Sequence, residues 1–252
     1  MNVLPTGAIL RQPLPEQPKW LTRLLCRLLT ALGRRQVVSL RGLENVAPER
    51  DPFVLAVNHN QRLEAVLLPA LLAYERRGRL VHFLADWPMF LVPLVGLLYR
   101  RGGVIAVAGK SARPAFLNVL RPLFAGAAPA HEQAVAVLRR GRSVGVFAEG
   151  TMNRDPHRLL RGRTGAARMA IEAGVPVVPA GISFPEHRGD GPIRDGEPMA
   201  IEIGPPLPPP AAAGGVTPAV AGFHRQIFEQ VAALCGKSFS PDAPRRKKCL
   251  KS

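Results

Sequence analysis

The chain has 252 residues, 47% of them apolar, which is enough for one domain with a sizeable core. Its net charge of +16 draws anions: nucleic acid, anionic lipid headgroups or phosphate-bearing substrates. No helix-turn-helix, zinc-finger or aromatic RNA-binding pattern accompanies that charge, and two Trp, two Tyr and 10 Phe are few for a base-stacking platform, so nucleic acid is not expected as a partner.

Residues 1–18 are Pro-rich and read as an irregular arm, without the apolar segment of a cleavable signal peptide. Residues 19–35 predict a helix, with Leu21, Leu24, Leu25, Leu28, Leu29 and Leu32 at helical spacing among Arg23, Arg27, Arg34 and Arg35. A basic amphipathic helix that starts at Trp20 suits a lipid interface. Packing of the same leucine stripe against the chain's own domain is the other reading.

Strands are expected at Val37–Leu43 and Phe53–Val57, then a polar loop at 58–61 and a helix over Leu63–Arg76. Leu80–Ala85 and Gly103–Val107 read as further strands. Between them Met89–Tyr99 is the longest apolar run, short of the ~20 residues a spanning helix needs. Ser111–Pro129 is Pro/Ala-rich and gives no clear element beyond some helix. A helix over Glu132–Arg140, a strand over Ser143–Phe147 and a helix over Thr164–Ala173 ending at Gly174 follow. Val175–Ile182 reads as an edge strand, because Pro176 and Pro179 oppose a central ladder. Met199–Ile203 is a last strand, 204–218 a Pro/Ala/Gly connector and 219–236 a closing helix.

This alternation predicts an α/β fold: a single domain with a central, mostly parallel or mixed sheet flanked by helices, plus the N-terminal amphipathic helix. The divisions are an arm and membrane-docking helix over 1–36, the main domain over 37–236 and a basic, disordered tail over 237–252. Cys26, Cys235 and Cys249 are odd in number and widely spaced. They argue against a disulfide framework or a zinc site and suit a reducing, cytoplasm-facing environment.

Three segments carry chemistry. His59 and Glu64 lie where a buried strand meets a helix, the position at which α/β sheets hold ligands. A carboxylate beside a histidine fixes its tautomer and steadies the imidazolium, making a base and its orienter. Taken alone, the pair reads more readily as a polar turn before a helix than as a catalytic pair. The strand VGVFAEGT ends in Glu149, Gly150 and Thr151, with Asn153 and Arg154 beyond. There Gly150 admits close backbone approach, Thr151 adds a hydroxyl and Arg154 a charge suited to phosphate. The third segment is AGVPVVPAGI around Pro176 and Pro179. Gly141-Arg-Ser143-Val-Gly145 matches a hydrolase nucleophile elbow in letters only, since a helix precedes it and a strand follows.

In order and spacing, His59-x4-Glu64, Gly103-Val-Ile-Ala-Val107, Phe147-Ala-Glu-Gly-Thr151 and Val175-Pro-Val-Val-Pro179 resemble the four blocks of the glycerolipid acyltransferase family, which includes 1-acylglycerol-3-phosphate acyltransferases. The resemblance covers about residues 37–205. It implies acyl transfer from acyl-CoA or acyl-carrier-protein to a lysophospholipid hydroxyl, with no further cofactor. It also implies a peripheral place at the cytoplasmic face of the inner (plasma) membrane, on an anionic surface. His59 would be the base, Glu64 its partner, and Glu149, Gly150 and Thr151 would bind the polar head of the acceptor.

The departures from the family pattern are specific. Glu64 replaces Asp, Gln61 replaces Ser, Gly109 with Lys110 stands where an Arg is usual, and Ala148 and Met152 replace Pro and Arg. Lys110, Arg154, Arg161 and Arg163 are the candidates to replace the lost phosphate contacts. The altered first block leaves a second reading, a non-catalytic lipid- or phosphate-binding protein with a degraded dyad.

Overall fold

The computed structural model describes residues 6–124, 126, 128–211 and 216–242. Seven strands form one sheet: β1 (Val37–Arg41), β2 (Val54–Val57), β3 (Val81–Asp86), β4 (Ile105–Val107), β5 (Ser143–Phe147), β6 (Val177–Ser183) and β7 (Met199–Ile203). Their order is β1-β7-β6-β2-β5-β3-β4, and every neighbouring pair is parallel except β6 with β7. The predicted α/β class with a mostly parallel sheet is therefore the observed one.

The strand β2 shows why the sheet is two-sided. Val54 and Ala56 face a core completed by α5 (Ala130–Arg139), α6 (Gly165–Ala173) and α7 (Val216–Cys235). Phe53, Leu55 and Val57 face α3 (Glu64–Glu75), so the short apolar run is buried on both faces. The helix α7 lies close on β6: a Cβ at Gly181 would fall 2.4 Å from the Leu234 carbonyl carbon. Only glycine permits that approach.

The strand β6 is central, which corrects the edge assignment. Pro179 sits mid-strand, aligned with Ala56 of β2. Its carbonyl accepts the Gly204 N–H on the opposite side, just past the end of β7. The proline nitrogen faces that side too, between this bond and the two that Val177 exchanges with Leu207, so the central strand gives up a single ladder donor there.

At the N-terminus, Thr6–Arg11 is a short helix, α1, where an irregular arm was expected. The helix α2 (Trp20–Gly33) packs on α3 through Thr22, Cys26, Thr30 and Gly33. Its small, polar face is therefore the buried one, while Trp20 is 68% and Leu32 71% exposed, with Leu24 and Leu28 between them in the same row. The leucine stripe is divided: Leu24, Leu28 and Leu32 are exposed, while Leu21, Leu25 and Leu29 are half-buried. The apolar run after β3 becomes a 3-10 turn (Trp87–Leu91) and α4 (Pro93–Arg101), and Ala115–Leu123 forms a second 3-10 segment with Phe116, Val119 and Leu123 exposed. Among the described residues, no helix is long and apolar enough to cross a membrane.

The expected tail over 237–252 is corrected at its start. The Ser238 N–H donates to His157 O and the Ser238 carbonyl accepts the Leu159 N–H, and the Phe239 ring lies 5.1 Å from Phe228. Residues 243–252, including Cys249 and the Arg245–Lys251 run, lie outside the described residues. Cys26 and Cys235 are free and buried, and burial pushes each thiol up to about 11.

Candidate active site

Two loops leave the C-terminal edge of the sheet side by side, because β2 and β5 are parallel and in register. One carries Asn58 to Gln61 and the other Ala148 to Asn153. They are tied where Ala148 N–H donates to Val57 O and Asn153 N–H to His59 O at 2.7 Å. Asn58, wholly buried, fixes the first loop to β6 by accepting the Ile182 N–H and donating to the Ile182 carbonyl. Gln61 anchors it to the β6–β7 loop, donating to Glu197 O and accepting the Gly196 N–H.

On this frame His59 Nδ1 meets Glu64 Oε2 at 2.8 Å. The helix α3 starts at Glu64, so the loop residue and the first helical carboxylate are brought together as the spacing predicted. The same Oε2 accepts the Asn60 N–H at 2.7 Å, and Oε1 accepts Asn60 Nδ2 at 3.1 Å. The extra methylene of Glu relative to Asp is thus absorbed by a carboxylate held at both oxygens. Its side chain is 0% exposed, whereas that of His59 is 17% exposed and packs on the Phe147 ring at 4.2 Å. A carboxylate on Nδ1 places the ring proton there and leaves the Nε2 lone pair as the basic site.

Glu149 is buried beneath the second loop. Its carboxylate accepts from Asn153 Nδ2 at 2.7 Å, the Leu160 N–H at 2.8 Å and, at 3.4 Å, the His59 N–H. Burial pushes this carboxyl up to about 7, against the opposing pull of those hydrogen bonds and of Lys237. Its oxygens serve the loop frame, which differs from the expected contact with an acceptor head. Gly150 and Thr151 are half-buried at the turn above it. Gly150 has φ +67°, and a Cβ there would lie 2.8 Å from Arg163 Nε, so the exposed Arg163 side chain runs directly over this turn.

Of the other predicted cations, Arg161 is exposed, and Arg154 and Lys110 are engaged. Arg154 donates to Ile193 O and to Asp195 Oδ2 at 2.7 Å. The Arg62 N–H and Arg154 together hold the Asp195 carboxyl below its usual range. Lys110, after β4, pairs with Asp86. Ser143 is sealed at the other edge of the sheet, its hydroxyl bonded to Asp51, so the elbow-like motif has no access to substrate.

The sequence reading missed Lys237. Its buried Nζ donates to Asn60 Oδ1 and to the Asp155 carbonyl at 2.6 Å. Burial lowers its ammonium from the usual lysine range, while Glu149, Cys235, Glu64 and Asp155 oppose that shift. No local signal marks it, since 177 residues separate it from Asn60. Among the described residues no cluster of His, Cys, Asp and Glu is arranged to hold a metal ion. An apolar cleft lies between α2, α3 and α4, lined by Leu25, Leu29, Val66, Pro69, Leu98 and Val104.

The chain matches known proteins over this same region. A family model described as Acyltransferase matches residues 37–183. The chain is 28% identical over 142 residues to the 1-acyl-sn-glycerol-3-phosphate acyltransferase of Borreliella burgdorferi, covering 56% of this chain and 49% of that protein. It is also 28% identical over 142 residues to a chloroplastic 1-acyl-sn-glycerol-3-phosphate acyltransferase of Arabidopsis thaliana, covering 35% of that protein. The match thus spans about half of the first relative and a third of the second. The crystal structure of the 1-acyl-sn-glycerophosphate acyltransferase of Thermotoga maritima shares the fold, with a TM-score of 0.54 and 20% identity over 84% of this chain and 78% of that one.

Proposed function

We propose that this chain, which belongs to the acyltransferase family, moves a fatty acyl group from a thioester of CoA or acyl-carrier-protein to a hydroxyl of a lysophospholipid of the 1-acylglycerol-3-phosphate type. The observation that carries the reading is the His59–Glu64 pair, buried on its carboxylate side and open on its imidazole side. His59 Nε2 takes the proton of the acceptor hydroxyl as its oxygen attacks the thioester carbonyl. Glu64 steadies the imidazolium that forms. Collapse of the tetrahedral intermediate releases the thiol, which leaves as thiolate and is protonated from His59, so no acyl-enzyme is needed. The intact geometry of Glu64 weighs against a degraded dyad.

The acceptor phosphate falls to Arg163 in this reading. It lies over the Gly150 turn, whereas Arg154 and Lys110 are already paired. Gly150 and Thr151 line its approach, and the α2–α3–α4 cleft, whose wall includes the residues following Glu64, offers hydrocarbon surface to an acyl chain. The outward row Trp20, Leu24, Leu28 and Leu32, flanked by arginines, suits a peripheral seat on an anionic bilayer at its cytoplasmic face.

The test is transfer of labelled acyl groups from both thioester donors to a panel of lysolipids on anionic vesicles. Acylation of one lysophospholipid class is expected, together with vesicle binding that weakens as salt rises. A folded, vesicle-bound protein that acylates nothing contradicts the enzymatic reading and favours a lipid binder.

A further inference from the structure

Lys237 is the one buried lysine among the described residues, and the chemistry above does not use it. Burying an ammonium is costly unless it is paired and bonded, so its position calls for a partner set. That set is the site itself. Nζ donates to Asn60 Oδ1 and to Asp155 O. This contact fixes the Asn60 amide with oxygen toward Lys237 and nitrogen toward Glu64 Oε1. The Asn60 backbone N–H reaches Glu64 as well. A continuous chain of hydrogen bonds therefore runs from Lys237 through Asn60 and Glu64 to His59.

Charge adds to geometry. Glu64 comes from α3, Glu149 from the end of β5, Asp155 from the loop beyond it and Cys235 from the end of α7. Arg163, across the Gly150 turn, is exposed. Lys237 is the only buried cation in that group, set among the carboxylates of Glu64, Glu149 and Asp155.

We infer that Lys237 is a positioning residue for the acyl transfer proposed above: it aligns Glu64 through Asn60, and its charge keeps His59 in the neutral, proton-accepting form. Removing that charge lets the cluster bind its next proton more tightly. Because transfer needs the unprotonated ring, the acid limb of the pH–rate profile then moves to higher pH.

The experiment is a titration of the His59 ring resonance by NMR in the full chain, identified by its loss in His59→Ala, alongside kcat/KM against pH. Lys237→Gln keeps donors but not charge, and Lys237→Arg keeps charge. In Lys237→Gln the midpoint and the acid limb are expected to rise by at least about half a pH unit, a threefold or larger activity loss below the limb. Lys237→Arg should stay near the wild-type midpoint. An unchanged midpoint in folded Lys237→Gln overturns the inference. Asn60→Ser tests alignment with Lys237 intact. About a tenfold fall in kcat with KM nearly constant is expected, and an unchanged kcat counts against the alignment role. The titration needs no substrate, so it judges Lys237 even if no lysolipid is acylated, while the transfer panel alone judges the reaction.

Discussion

Two buried polar clusters stand at opposite ends of the same parallel strands. At the N-terminal edge of β2 and β5, Asp51 accepts from Arg76, Arg79 and the Ser143 hydroxyl, and Arg76 also donates to Val46 O. At the C-terminal edge, Glu64 and Glu149 are buried with Lys237, and His59 opens to solvent. Both clusters set carboxylates against cations. In the first, the partners are arginines, whose charge does not titrate in the working range, and both the Asp51 and the Arg76 side chains are 1% exposed. In the second, one partner is a histidine and one carboxyl is pushed up to about 7. The first arrangement holds the strands together, and the second can exchange a proton with a bound molecule. Similar groups thus become framework or chemistry according to exposure and to whether a member titrates near neutrality.

Four outcomes sharpen or break this contrast. The largest is expected at the closed end. Asp51→Ala leaves Arg76 buried without its partner and should cost about 3–5 kcal/mol in denaturant unfolding, with little change in activity per folded molecule. The second concerns Glu149, whose raised carboxyl keeps its proton in the fold at pH values where the unfolded chain has lost it. Stability must then fall as pH rises from about 4.5 to about 7, by roughly 3 kcal/mol, and level off above that. Glu149→Gln should flatten this slope, as followed by Tm against pH. A slope that persists unchanged places the titrating group elsewhere.

The third outcome is catalytic. Glu64→Gln should lower kcat by about a hundredfold, because an amide fails to steady the imidazolium, while leaving Tm nearly unchanged. Glu64→Asp should not exceed wild type, and a gain would revive the degraded-dyad reading. The smallest is expected for Arg163→Ala, which should raise KM about tenfold for phosphate-bearing acceptors. Arg154→Ala should move it less, since Arg154 is held by Asp195.

What the sequence revealed follows the distance over which each feature is encoded. The His59–Glu64 pair was legible because strand end, loop and helix start are contiguous, and the sheet class because its strands are short apolar runs between helices. Pro179 misled, since its place in a central strand rests on pairing with β2 and with the segment from β7 onward, both far along the chain. In α2 the leucines drew attention, but Thr22, Cys26, Thr30 and Gly33 form the packing face, a spacing readable only once a helical partner is known. Lys237 fell at the first position of the segment expected to be a basic tail, and its place rests on contacts with Asn60 and Asp155 far along the chain.

The most direct measurement is the rate of acyl transfer in His59→Ala against wild type, at equal vesicle binding and equal Tm. The account predicts a loss of at least about a hundredfold, the lower bound of general-base assistance. A variant that folds, binds vesicles and keeps most of its activity would contradict it.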